Sequence, residues 1–287
     1  MNLPFLQLDV FAPAALSGNP LAVVFGADAL DDRAMQSVAR WLGLSETTFL
    51  LRPTTPDADY LVRIFTPGGE LPFAGHPTLG SAAAWLLRGG QPARGDTVMQ
   101  QCGVGLVPVR RDPATASGGD ALSLAFAAPA MRAEPVAPDL LRQVAAALGI
   151  DPDGIVASAW LDNGPRWLAL WLPSAAAVLD VDPDHAALRR LQVKVGLAGP
   201  HPAGSAAAIE VRAFVAHLGV AEDPVTGSLN ASLGQWLIGE GILPSGYVAA
   251  QGTALGRAGR VRIDRDAQGR VWVGGAVRRV IAGTIAL

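Results

Sequence analysis

Val62-Arg63-Ile64-Phe65, then Gly75-His76-Pro77-Thr78-Leu79-Gly80-Ser81 and the apolar run Ala82-Ala83-Ala84-Trp85-Leu86-Leu87, decide the fold, because the chain repeats them. About 147 residues later Val211-Arg212-Ala213-Phe214 leads to Glu222-Asp223-Pro224-Val225-Thr226-Gly227-Ser228 and to a helical stretch ending in Gly234-Gln235-Trp236-Leu237. Each copy reads as a strand, a polar residue and an apolar helix opened by proline, which puts His76 and Asp223 in matching places. Fainter echoes frame them: Gly18-Asn19-Pro20-Leu21-Ala22-Val23-Val24 against Gly164-Pro165-Arg166-Trp167-Leu168-Ala169-Leu170, and Gln101-Cys102-Gly103 against Gln251-Gly252-Thr253. The period is too long for a solenoid unit and predicts two similar domains, 1–125 and 126–287, with terminal strands free to cross. A cleft between such domains is the expected ligand site.

Composition narrows the function. The 287 residues are half hydrophobic, enough for two ordinary cores. A formal charge of −3 with scattered arginines gives no basic stripe, so nucleic acid and anionic membrane are poor partners. No apolar run approaches the roughly 18 residues of a membrane span. The N-terminus carries Pro4, Asp9 and Pro13 where a secretory leader needs a basic then an apolar stretch, so a cytoplasmic protein is expected. Cys102 is the single cysteine and excludes both an internal disulfide and a two-thiol site. Lys194 is the single lysine, in a Gln192-Val193-Lys194-Val195 stretch read as a strand, and is a poor candidate for a Schiff base.

The order of elements reads as α+β. Short β runs at 6–11 and 21–25 flank the turn Ser17-Gly18-Asn19-Pro20. Asp31-Asp32 caps a helix through Leu42 that Gly43 closes. Strands at 47–51 and 60–65 precede the first repeat helix, which is apolar on every face from Ala82 to Leu87 and is therefore expected to be wrapped by sheet. Strands near 97–110, a hairpin tip from Arg111 to Asp120, a helix at about 138–148 and the second central helix at about 224–239 follow. The pattern does not alternate as βαβ units do, which disfavours a Rossmann-type sheet.

His76, His185, His201 and His217 show no ligand spacing and there is no cysteine cluster, so no metal is expected; no glycine-rich or Walker loop supports a nucleotide cofactor either. The helix starts remain. An N-terminus offers unpaired amide N–H groups and the positive end of the dipole, suited to a carboxylate or to developing negative charge. Glycines at 75, 80 and 227 let backbone approach a ligand. Asp223 before Pro224 also reads as a plain N-cap, and His76 as a packed core or capping histidine. Glu46, in Ser45-Glu46-Thr47-Thr48-Phe49, sits between a helix stop and a strand; desolvation there would raise its pKa and suit it to take and return a proton. An exposed loop glutamate is the plainer reading.

Taken together, Asp9-Val10-Phe11, Gly18-Asn19-Pro20-Leu21-Ala22-Val23-Val24, Ser45-Glu46-Thr47-Thr48-Phe49, Phe65-Thr66-Pro67, Pro72-Phe73-Ala74-Gly75-His76-Pro77-Thr78 and Glu222-Asp223-Pro224-Val225-Thr226-Gly227-Ser228 resemble the PhzF family of phenazine-biosynthesis-type isomerases. Gln251-Gly252, Gly256-Arg257-Ala258-Gly259 and Gly274-Gly275 extend the resemblance over the whole chain. It implies the diaminopimelate-epimerase-like fold, two pseudo-symmetric α+β domains each folding a mostly antiparallel sheet or barrel around a central helix. It further implies Glu46 as acid/base and Gly75, His76, Asp223, Gly227 and Ser228 as substrate-site residues. The substrate would be a small carboxylate of the dihydro-hydroxyanthranilate kind, with no cofactor, and a homodimer is expected. Diaminopimelate epimerases carry a cysteine at each helix start, where this chain has His76 and Asp223. Asp112-Pro113-Ala114-Thr115 copies the family tetrapeptide without a following helix. Leu229-Asn230 is bulkier than the family pattern, which leaves the size of the pocket, and hence the substrate, open. An amino-acid or hydroxy-acid epimerase, with His76 or Asp223 as second base, and a non-catalytic binder are the alternatives.

Overall fold

A computed structural model describes residues 1–111 and 121–287, so the expected hairpin tip and its Asp112-Pro113-Ala114-Thr115 decoy lie almost wholly outside the described residues. The chain forms two compact units, Met1–Ala127 with Gly274–Leu287, and Ala128–Val273. The C-terminal segment thus belongs with the first unit.

In that unit the elements are β1 (Asn2–Val10), β2 (Asn19–Phe25), α1 (Asp32–Leu42), β3 (Glu46–Leu51), β4 (Tyr60–Phe65), β5 (Glu70–Leu71), α2 (Gly75–Leu87), β6 (Thr97–Cys102), β7 (Gly105–Arg111) and β8 (Ala121–Ala127). The second unit adds β9 (Arg132–Glu134), α3 (Pro138–Leu148), β10 (Ala157–Asp162), β11 (Arg166–Trp171), α4 (Ala175–Leu179), α5 (His185–Leu191), β12 (Val195–Pro200), β13 (Ile209–Phe214), α6 (Gly227–Gly239), β14 (Gly246–Gln251) and β15 (Gly259–Arg265). The last strand, β16 (Val271–Ala286), carries the chain back into the first unit.

The first unit closes into an eight-stranded barrel in the order β1-β2-β3-β4-β6-β7-β8-β16, sealed by antiparallel pairing of β16 with β1. Closure leaves no open edge. Pairing is mostly antiparallel, with parallel contacts where a helix intervenes between β2 and β3 and between β4 and β6. α2 packs against β1, β2, β3, β6, β7 and β8, and every one of its residues except Trp85 and Leu87 is buried. Its lack of amphipathicity is the signature of a helix with sheet on all sides. α1, by contrast, lays Met35, Val38 and Ala39 on the outside of the barrel against Leu3, Val24, Phe49 and Phe65.

The second unit orders its strands β9-β10-β11-β12-β13-β14-β15, with parallel contacts at β11–β12 and β13–β14. α6 is its central helix, buried from Gly227 through Gly234. Helices α3, α4 and α5 cover the other sheet face around Val144, Leu148, Val178, Leu188, Leu170, Leu197 and Phe214. Two expectations fail here. The second central helix starts at Gly227 and not at 224, because Thr226, itself extended, takes the N-cap and Pro224-Val225 ahead of it form a bend. Lys194 precedes β12: Gln192 ends α5 in the left-handed region, which delays the strand to Val195. Among the described residues no helix is long and apolar enough to cross a membrane.

Candidate active site

Glu46 is the first residue of β3, in register with Leu21 of β2, and its side chain is 14% exposed. The exposed-loop reading therefore fails, because strand pairing holds the residue at the barrel rim. Thr47 and Thr48 behind it are buried, with the Thr48 hydroxyl taking a 3.0 Å hydrogen bond from Ser81 of α2. His76 lies in the first turn of α2 and is 3% exposed, with Nε2 3.3 Å from Glu46 Oε2. Burial pushes the His76 pKa down to about 3, so the ring is neutral at ordinary pH. The contact is therefore not an ion pair. On the ring's far side Asn19 Nδ2 is 3.3 Å from Nδ1.

In the second unit Asp223 lies three residues ahead of the α6 N-cap, so it does not match His76, which is inside its helix. The neighbouring sequence explains its placement. Arg212 of β13 forms a buried bidentate pair with Glu222 at 2.8 and 3.0 Å and donates to the carbonyls of Val181 at 2.5 Å and Val178 at 3.4 Å, which anchors the segment carrying Asp223. The Thr226 hydroxyl donates to Asp223 Oδ2 at 2.6 Å. Gln251 of β14 is fully buried; its amide donates to Thr226 Oγ1 at 2.9 Å and to the Asp223 carbonyl at 3.2 Å. Its Oε1 accepts from Thr226 N and from Asn230 Nδ2. Ser228 is held on both sides, its Oγ accepting from Trp167 Nε1 at 3.3 Å and its carbonyl from Asn163 Nδ2 at 3.0 Å.

Leu229 and Asn230 are both fully buried. Leu229 is fully buried against Gly196, where any Cβ would come within 2.4 Å of it, and the Asn230 amide is spent on Gln251 and the Thr226 carbonyl. Both point into the fold.

The two central helices lack the side-chain caps of α1, α4 and α5, a lack they share with α3, whose N-cap is Ala137. Asp31, Ser174 and Asp184 cap α1, α4 and α5 through their side chains, whereas Ala74 and Thr226 at the heads of α2 and α6 make no such bond. An uncapped, buried N-terminus keeps its amide donors and dipole for an anion. Gly75 and Gly227, each the first residue of its helix, present no side chain there. Among the described residues no three His, Cys, Asp or Glu side chains gather as a metal site would require. Cys102 is buried on β6, and burial pushes its thiol pKa up.

In the sequence Gln251 and Asn19 stand only as parts of motifs. Each lies at the edge of an apolar run, Asn19 before Leu21-Ala22-Val23-Val24 and Gln251 after Val248-Ala249-Ala250, where only burial reveals an amide that has to be hydrogen-bonded.

Comparison with known proteins places this α+β barrel, folded around a buried helix, within one family. The profile of phenazine biosynthesis-like proteins (PhzC-PhzF) matches residues 8–283. The trans-2,3-dihydro-3-hydroxyanthranilate isomerase of Pseudomonas aeruginosa is 35% identical over 90% of this chain and 88% of its own. Antisense-enhancing sequence 1 of Schizosaccharomyces pombe is 33% identical over 97% of both. The crystal structure of a Bacillus anthracis phenazine biosynthesis protein of the PhzF family superposes with a TM-score of 0.85 over 100% of both chains at 20% identity, a likeness of fold. The chain belongs to the PhzF family of phenazine biosynthesis-like proteins, and it is an isomerase.

Proposed function

We propose that the protein shifts a proton between two carbons of a small carboxylate-bearing substrate, of the trans-2,3-dihydro-3-hydroxyanthranilate type, with Glu46 as the single acid/base. The observation that carries this reading is the buried contact between the Glu46 carboxylate and a neutral His76. A ring whose conjugate acid has a pKa near 3 is a poor proton carrier at neutral pH, which leaves the work to the carboxylate.

Glu46 takes a proton from a carbon made acidic by adjacent unsaturation, and the C–H electron pair delocalises into the conjugated system. The resulting Glu46 carboxylic acid returns the proton to another carbon on the same face, which restores the carboxylate. No electron leaves the substrate, so the scheme needs no redox cofactor. Gly75 and His76 at the head of α2, and Asp223, Gly227 and Ser228 at the head of α6, are assigned to hold the substrate carboxylate and the delocalised charge. The uncapped helix starts support this role.

The test is incubation of the protein with trans-2,3-dihydro-3-hydroxyanthranilate and related carboxylates in deuterated water. Migration of the double bonds is the expected outcome, with solvent deuterium entering the product to the extent that Glu46 exchanges its proton. Deuterium entry with loss of optical activity and no bond migration would assign an epimerase instead. No turnover of any such substrate would sink the reading.

A further inference from the structure

Asn19 is a fully buried polar side chain to which the proton-shift scheme gives no task. The fold takes trouble to place it. The buried Asp9 carboxylate of β1 accepts hydrogen bonds from the backbone N–H of Ser17 at 2.8 Å and of Gly18 at 3.1 and 3.2 Å, fixing the turn that leads into β2. Gly18 passes so close to β1 that a Cβ there would fall 2.1 Å from the Val10 carbonyl oxygen. Asn19 then opens β2 opposite Val10, with its amide nitrogen 3.3 Å from His76 Nδ1.

The ring's two neighbours decide which nitrogen carries hydrogen. A neutral imidazole has one N–H and one lone pair. The Asn19 amide nitrogen can only donate, so Nδ1, 3.3 Å from it, is the lone pair. The hydrogen of the neutral ring then sits on Nε2, the nitrogen 3.3 Å from Glu46 Oε2. An aspartate at this position would set acceptor against acceptor.

We propose that Asn19 is a positioning residue that locks His76 as the Nε2–H tautomer, so that the ring turns an N–H toward Glu46 and cannot accept Glu46's proton. In the opposite tautomer the Nε2 lone pair would compete with the substrate carbon for that proton. The catalytic meaning of the lock rests on the proposed isomerisation; the tautomer itself does not.

The experiment is long-range proton–nitrogen correlation NMR on the full-length protein labelled with nitrogen-15 histidine, near neutral pH, with the His76 ring assigned by its loss in His76→Gln. The wild-type spectrum is expected to show a protonated Nε2 and a lone pair at Nδ1. Asn19→Asp should bring a proton onto Nδ1, and Asn19→Leu, which keeps the bulk without a donor, should give a mixture of tautomers. A wild-type ring protonated at Nδ1, or an Asn19→Leu spectrum identical to wild type, would overturn the proposal. The wild-type arm decides the first point even if a variant folds poorly. Because the spectrum needs no substrate, a failed search for turnover counts against the isomerisation scheme alone, whereas a wrong tautomer counts against Asn19 alone.

Discussion

At the head of α2 the Thr78 hydroxyl donates to the carbonyl of Ala74, while at the head of α6 the Thr226 hydroxyl donates to the carboxylate of Asp223. Behind each threonine stands a buried glutamine, Gln100 of β6 or Gln251 of β14, whose amide donates to the hydroxyl at 2.9 Å. The glutamine–threonine pair is thus common to both units, and only its last recipient differs. In the first unit the pair stabilises the helix backbone itself, leaving His76 and Glu46 to meet beside it. In the second it fixes the orientation of an acidic side chain, with Asn230 in turn holding Gln251. In the proposed scheme the repeated scaffold divides the chemistry: the first unit carries the proton-transfer carboxylate, the second a clamped one.

That division predicts the largest effect. Glu46→Gln keeps size and hydrogen-bonding capacity but removes the acid/base, so turnover should fall about 10²–10⁴-fold while affinity for a carboxylate ligand changes little. Asp223→Ala should weaken both, because in the proposed scheme the residue orients substrate and its loss leaves the Thr226 hydroxyl without its acceptor, whereas Asp223→Asn keeps an acceptor oxygen and should weaken them less. Calorimetric titration beside a turnover assay on the pair reads this out. Equal loss of binding and turnover in both variants would erase the distinction between the units.

The repeated arginines break the same way. Arg212 and Glu222 are only 7% and 5% exposed, whereas Arg63 pairs with Glu70 and Asp32 while 24% exposed itself, against 41% and 84% for its partners. Removing one member of a buried pair strands the other, at about 3–5 kcal/mol, while surface pairs are worth roughly 0–1 kcal/mol. Arg212→Ala should therefore destabilise the protein several-fold more than Arg63→Ala in denaturant unfolding. Comparable losses would show that the two arginines do the same structural work.

The repeat made the central-helix architecture legible, because an apolar helix without a polar face can only be enclosed. The α1 boundaries were equally readable from Asp31 and Gly43, which act locally. What stayed hidden depends on tertiary contacts. Asp223-Pro224 carries every local mark of a helix start, yet Thr226 caps α6 because Asp223 is drawn to the Thr226 hydroxyl and the segment is anchored through Arg212. Likewise the alignment of Gln101 with Gln251 is one residue out: it is Gln100 that shares the threonine contact, since Gln101 points to Thr54 at the surface. Which face of a strand an amide occupies is set by pleat and register, and a weak sequence echo does not resolve a shift of one.

A smaller, pH-dependent effect belongs to the first unit. The His76 pKa is about 3 in the folded protein and near 6.5 when unfolded, so between those values the unfolded chain binds a proton that the folded one refuses. The stability contributed by this group is complete above pH 6.5 and is lost as pH falls toward 3, by at most about 1.4 kcal/mol per unit. His217 is also shifted down, by burial first and by Lys194 next, but it is less enclosed and adds less. Unfolding titrations from neutral to acid pH should show a shallower slope in His76→Gln than in wild type. Parallel slopes would mean that His76 is protonated in the folded protein, and the neutral-ring argument would fall with them.

The smallest effect expected is none. Any thiol mechanism would have to run through the chain's single cysteine. Cys102 does not sit at a helix start: it ends β6, buried, with burial holding the thiol in its protonated, weakly nucleophilic form. The helix starts hold Gly75-His76 and Gly227-Ser228 instead. Cys102→Ser should therefore turn over substrate as wild type does, and thiol-alkylating reagents should leave the rate unchanged while the protein stays folded. A variant that folds normally but has lost activity would put sulfur chemistry back in the first unit and remove Glu46 from its role as sole proton carrier.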